Sequence, residues 1–248
     1  MALNYEQKWR EIMIRLHNTK NILKGLCYWV GYKSILFNGA QLPELSIHTE
    51  LWTLLNNNSY TSKYKLIIKP EVPYKEIKSK ISLNDTEFEN CIADIVIYKK
   101  EFNSERNIQD IKEKLSYIIE VKKYENNNEK NNLKGIREDI KLLKTYKDRN
   151  SKDKNVEYYL IIVSQELFPS IFFESGEQVV SKNKREKIFP LKKKSLEQVS
   201  ETLGSKIEEF QYEYVNKNRT IRKVELNTER VNQVNIKADF ISAIIVKV

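Results

Sequence analysis

Cysteine and histidine are scarce in this chain, at two residues each. Cys27 and Cys91 stand far apart in apolar surroundings, so neither a disulfide framework nor a zinc cluster is expected. His17 and His48 are too few for a histidine-rich metal centre. Glycine (6) and proline (5) are sparse as well. No stretch rich in them marks a linker, and no internal repeat is visible. No apolar run approaches the roughly 20 residues that a membrane-spanning helix needs. The first residues, MALNYEQKWREIM, are charged from the start and lack the apolar core of a secretory leader. A reduced, cytoplasmic setting without a membrane partner is the expectation.

What the chain has instead is charge. Of its 248 residues 31% are charged, the hydrophobic share is 40%, and the net charge is +9. The length suits one domain with elaborations. A basic balance favours polyanions such as nucleic acid. The abundance of Lys, Ile, Asn and Tyr is also what AT-rich coding produces, so charge alone assigns no partner.

Along the chain, Tyr5, Trp9, Ile12, Met13 and Leu16 repeat at helical spacing. Residues 22–37 are apolar and aromatic and fit helix or strand equally, with their aromatics read as core. Pro43 opens a helix, PELSIHTELWTLLNNN, with Ile47, Leu51, Leu54 and Leu55 as its buried stripe. Glu44 and Glu50 ride on this helix, and Glu50 adjoins Leu51. A strand is expected over 64–74, with Glu71 between Pro70 and Pro73, followed by a polar loop. Strand-like CIADIVIY (91–98) follows, then a charged surface insertion over 99–114, then strand-like LSYIIEVKKY (115–124). After an Asn-rich loop at 126–132, residues 133–146 have helical periodicity, and EYYLIIVS (157–164) is another buried strand. The remainder reads as a basic loop (174–195), a helix (196–214), an edge strand (220–226) and a final strand (240–248). A helix between the third and fourth strands permits parallel pairing there, whereas polar loops join the earlier ones. The fold class is therefore α/β, with a mixed central β-sheet.

Two of these strands carry charge where apolar residues belong. Asp94 interrupts CIADIVIY. Glu120 and Lys122, two residues apart, lie on one face of the next strand. A lone charge on a buried face is costly. Two strands that bring such acids together, with a lysine alongside, make a site for a hard divalent cation and an activated water.

Asp94, the Glu120-x-Lys122 triplet and the helix that follows resemble the PD-(D/E)xK nuclease superfamily, with Ala93 where the family name has proline. The resemblance covers residues 43–164. It implies a three-layer α/β/α restriction-endonuclease-like core with added helical and strand elements at both ends. The implied division is an N-terminal helical extension (1–42), a nuclease core (43–170) and a C-terminal basic elaboration (171–248), separate or part of the same domain. It implies Asp94 and Glu120 as ligands to Mg²⁺ (or Mn²⁺), with the Val121 carbonyl completing the shell. Lys122 would position or activate the attacking water and offset charge at the scissile phosphate; a desolvated lysine loses its proton more readily, which suits a place near the nucleophile. Glu50 would be the supporting acid from the first helix, with Glu71 as its rival. Lys99, Lys123, Arg137 and Lys141 would line the path of the phosphate backbone. The implied activity is endonucleolytic hydrolysis of double-stranded DNA by a homodimeric, type II restriction-type defence enzyme. A repair, recombination or mobile-element nuclease, or a non-catalytic nucleic-acid-binding protein, are the alternatives.

Overall fold

The computed structural model describes residues 19–36, 41–59, 66–77, 88–102, 111–125, 128–150, 155–165, 169–174, 192–216 and 240–248. The helix expected over 5–17, the edge strand over 220–226 and most of the basic run at 182–194 lie outside these residues. Among the described residues the first elements are two helices, α1 (Thr19–Leu36) and α2 (Glu44–Ser59). Strand β1 (Leu66–Pro73) runs into a 3₁₀ turn, Tyr74–Glu76. Strands β2 (Ile92–Phe102) and β3 (Ile111–Tyr124), helix α3 (Glu129–Arg149) and strand β4 (Glu157–Ser164) follow. The last part holds β5 (Phe173–Glu174), β6 (Lys192–Lys193), α4 (Leu196–Leu203), β7 (Glu209–Asn216) and β8 (Phe240–Lys247).

Six strands form one sheet in the order β1-β2-β3-β4-β8-β7. Among the described residues, β3 and β4 pair in parallel and the other neighbouring pairs of this sheet are antiparallel. Helix α3 makes the crossover that parallel pairing requires. The final strand, β8, lies inside the sheet between β4 and β7.

Alternation along β3 shows how the layers form. Leu115, Ile118 and Tyr124 pack with Ile136, Ile140, Leu143 and Tyr146 of α3 and with Val199 and Leu203 of α4. Tyr117, Ile119 and Val121 pack on the opposite face with Leu23, Leu26 and Val30 of α1 and Ile47, Leu51 and Leu55 of α2. Helices thus cover both faces of a mixed sheet. That cover explains why β3 and β4 read as nearly continuous apolar runs.

Several sequence expectations change. Residues 22–36 are helical, with Ile22, Leu23, Leu26, Cys27 and Val30 buried at helical spacing. Tyr28 (38% exposed) and Tyr32 (42%) fall on the outer side of that helix and are not core. Gly25 lets α2 come close, since a Cβ there would lie 3.4 Å from Leu54 Cδ2. The charged 99–114 stretch is no simple insertion: β2 continues to Phe102 and β3 already begins at Ile111. Helix α3 starts at Glu129, inside the expected Asn-rich loop. The helix expected over 196–214 stops at Leu203. Ser195 and Gln198 close a capping box at its start, and Gly204, at φ 65°, ends it in the left-handed conformation. Strand β7 takes up the rest, with Phe210 packing into one core and Val215 into the other.

Because Ile140 is fully buried between α3 and the sheet, Ile140→Ala is expected to cost about 2–5 kcal/mol of stability. Leu45, 61% exposed on α2, is expected to tolerate alanine within about 0.5 kcal/mol. Urea unfolding of both variants checks the layering; equal losses would contradict it.

Candidate active site

The antiparallel register of β2 on β3 pairs Ile95 with Ile119. One step further along, Asp94 and Glu120 meet, and their carboxyl groups are in hydrogen-bond contact. Two further bonds fix the pair. The Val121 amide donates to Asp94 Oδ2 at 2.6 Å. The Tyr74 hydroxyl donates to Glu120 Oε1, also at 2.6 Å. Tyr74 is aimed by its surroundings. Its amide donates to the Cys91 carbonyl at 2.9 Å, and its fully buried ring packs on Tyr146 at 5.0 Å and Phe88 at 5.7 Å.

Helix α2 delivers its first turn to the same end of the sheet. The Leu42 amide donates to buried Gln165 Oε1 at 2.7 Å, just past β4. The Lys123 amide donates to Glu44 Oε2 at 2.9 Å. The start of α2 is thereby tied to the ends of both parallel strands. One turn on, His48 Nδ1 lies 3.5 Å from Asp94 Oδ1. His48 Nε2 is buried without a hydrogen-bond partner among the described residues, 4.0 Å from Glu44 Oε1. From the other helical layer, Asp139 Oδ2 reaches within 3.2 Å of Lys122 Nζ, which is also 3.9 Å from Glu44 Oε1.

Burial, then the charge of Asp94, pushes the Glu120 carboxyl well above the ordinary carboxylate range. Burial also raises Asp94, against the opposing pull of His48. The pair thus retains a proton where isolated carboxyls would have lost theirs. Burial pushes Asp139 up to about 6, although Lys122 works the other way. For Lys122, burial opposes the charge, but Asp139 and Glu44 outweigh it and hold the ammonium above the usual lysine value. The shift runs opposite to that of a readily deprotonated lysine, because Asp139 and Glu44 favour the ammonium.

The structure brings Asp94, Glu120 and Lys122 together as expected. Glu50 does not join them. It stands half-buried with Lys33 of α1 as its electrostatic neighbour, and Glu44 is the acid that α2 contributes. Glu71 is exposed at φ 49°, between the pairs Pro70↔Ile95 and Val72↔Ala93 of an unbroken register. The expected phosphate-binding residues are dispersed. The Lys123 ammonium turns to Gln41 Oε1 (2.9 Å) and Glu125 Oε1 (2.6 Å). Arg137 donates twice to the Thr202 carbonyl and ties α3 to α4. Lys99 lies 5.8 Å from the Tyr117 ring centroid, and Lys141 is exposed on α3. Sequence reasoning missed Tyr74, His48 and Asp139 as parts of the site and did not choose Glu44. The available signals were the four-residue spacing of Glu44 and His48 and the place of Asp139 beside Ile140 on the buried side of its helix.

Among the described residues, no three His, Cys, Asp or Glu side chains are placed to hold one metal ion. The two acids in contact still fit a hard, mostly hydrated cation, which needs few protein oxygens. A dication between Asp94 and Glu120 would offset the repulsion of two like charges. No protein family, curated protein or solved structure matches the chain.

The raised carboxyls set a pH dependence. A group whose folded value exceeds its unfolded one contributes stability fully below the ordinary carboxylate range and loses it as pH rises through the folded value. Glu120 and Asp94 shift in that direction, and Asp139 does so with a folded value of about 6. Glu120→Gln cannot ionise, so it is expected to melt near wild type at about pH 4 and above it at about pH 8. Circular-dichroism melts in EDTA measure the gap; one that stays flat or closes with rising pH contradicts the assignment.

Proposed function

We propose that this chain is a Mg²⁺-dependent endonuclease of the PD-(D/E)xK type that hydrolyses phosphodiester bonds of double-stranded DNA. The observation that carries the reading is the contact of the Asp94 and Glu120 carboxyls at the sheet end, with Lys122 on the same strand face. The element order, helix, three strands, helix and parallel fourth strand, agrees with the restriction-endonuclease-like core of that superfamily.

Asp94 and Glu120 would hold the metal, with the Val121 carbonyl beside them. A divalent cation bound there supplies charge neutralisation at the phosphate and an acidified water. The chain's own residues do the positioning. Tyr74 and the Val121 amide each hold one carboxylate oxygen, of Glu120 and Asp94 respectively. The Lys122 ammonium offsets negative charge that builds on the scissile phosphate. The His48 ring stands between Glu44 and Asp94, with Nδ1 toward Asp94 and Nε2, without a hydrogen-bond partner among the described residues, toward Glu44. A restriction-type enzyme acting as a homodimer in the cytoplasm suits two-strand cutting, and that part rests on the resemblance alone. Binding of nucleic acid without cleavage is the second reading, favoured by one observation: Lys122 is already paired with Asp139 and Glu44.

Supercoiled plasmid with Mg²⁺ is expected to be nicked or linearised, and EDTA to stop it. Discrete bands would indicate sequence-specific cutting. Asp94→Ala and Glu120→Ala are expected to lower the rate about a hundredfold or more, with Lys122→Ala also strongly impaired. Full activity in both acid variants would overturn the site, and an inert wild type that still binds DNA would favour the second reading.

A further inference from the structure

We propose that Asp139 is a positioning residue of this site. With Glu44 it forms a two-sided clamp, one carboxylate from each helical layer, that fixes where the Lys122 ammonium stands. The consequence for catalysis rests on the nuclease reading; the clamp itself does not.

Lysine has a long, flexible stem, and holding it in one rotamer costs roughly 2 kcal/mol of entropy. Helix α3 runs beside that stem, and a Cβ at Gly135 would lie in ordinary contact with it, 3.7 Å from Lys122 Cε. One turn later, on the same face, Asp139 stops the ammonium at 3.2 Å. Glu44 closes the opposite side at 3.9 Å. It is itself anchored, because its other oxygen accepts the Lys123 amide at 2.9 Å.

The pair is not a casual surface bridge. The Lys122 and Asp139 side chains are 27% and 20% exposed, and apolar residues would serve such a position at least as well for stability. What the arrangement does provide is a cation held beside Asp94 and Glu120. An incoming phosphate would meet it already in place, which is worth more to rate than to binding.

Asp139→Asn keeps the size and removes the charge. In plasmid cleavage with Mg²⁺ it is expected to lower kcat about 10- to 100-fold and to change KM for DNA less than about threefold, and Asp139→Glu to recover part of the loss. An unchanged kcat, or a loss confined to melting temperature, would overturn the catalytic part. The clamp has a readout that needs no cleavage: acetylation of Lys122 by acetic anhydride, followed by mass spectrometry. Labelling is expected to be several-fold faster in Asp139→Asn than in wild type, and equal rates overturn the clamp. If wild type fails to cleave, the nuclease reading falls while the labelling still decides the clamp. Should Asp139→Asn fail to fold, Glu44→Gln removes the other arm and is read the same way.

Discussion

Two carboxyl groups held against each other at the end of a buried pair of strands constrain everything around them. The β2–β3 register that places Ile95 opposite Ile119 also places Asp94 against Glu120. Such a contact needs a proton or a cation between the acids. The chain meets part of the cost with the Val121 amide and the Tyr74 hydroxyl. The remainder appears as the upward shift of both acids. Apolar packing on both faces of β3 supplies the stability that lets a destabilising pair persist.

The helical layers are arranged about this point. Parallel pairing of β3 with β4 puts the carboxyl ends of both strands at one edge of the molecule, where crevices form in α/β folds. The start of α2 is tied there through Gln165 and Lys123, so Glu44 and His48 face the acids. Helix α3, carried across as the crossover, brings Asp139 from the other face. Each helix packs through an apolar stripe, and each sends polar side chains beyond the end of that stripe. The same packing that buries Ile47, Leu51, Ile136 and Ile140 therefore sets where the charges converge.

Much of this was legible in the amino-acid sequence, and the boundary has a physical cause. A charge inside a strand of Ile, Val and Tyr stands out because period-two alternation assigns it to a buried face, which is how Asp94, Glu120 and Lys122 were found. Which acid of α2 reaches the site depends on the phase of that helix against the sheet, a tertiary quantity; Glu50 adjoins Leu51 in sequence yet stands near Lys33. Tyr74 and Asp139 matter through partners distant in the chain. Lys123 and Arg137 resemble free cations in composition, and only coordinates show them tied to Glu125, Gln41 and Thr202. In 196–214 the apolar spacing kept a helical period straight through Gly204, whose left-handed backbone turned the remainder into β7.

The clamp also separates two tasks that the E-x-K triplet alone leaves merged. A desolvated lysine can serve as a proton acceptor or as a fixed charge, and its neighbours decide which. Here Asp139 and Glu44 outweigh burial and keep Lys122 protonated. An ammonium that retains its proton has no lone pair with which to take one from water. It can only donate hydrogen bonds and attract negative charge. The opposite tendency belongs to the buried acids, whose affinity for protons is raised by the same burial and by one another. On the nuclease reading, then, charge stabilisation falls to the amine, because an amine paired on both sides gains from staying charged, whereas crowded acids gain from a proton or a cation between them.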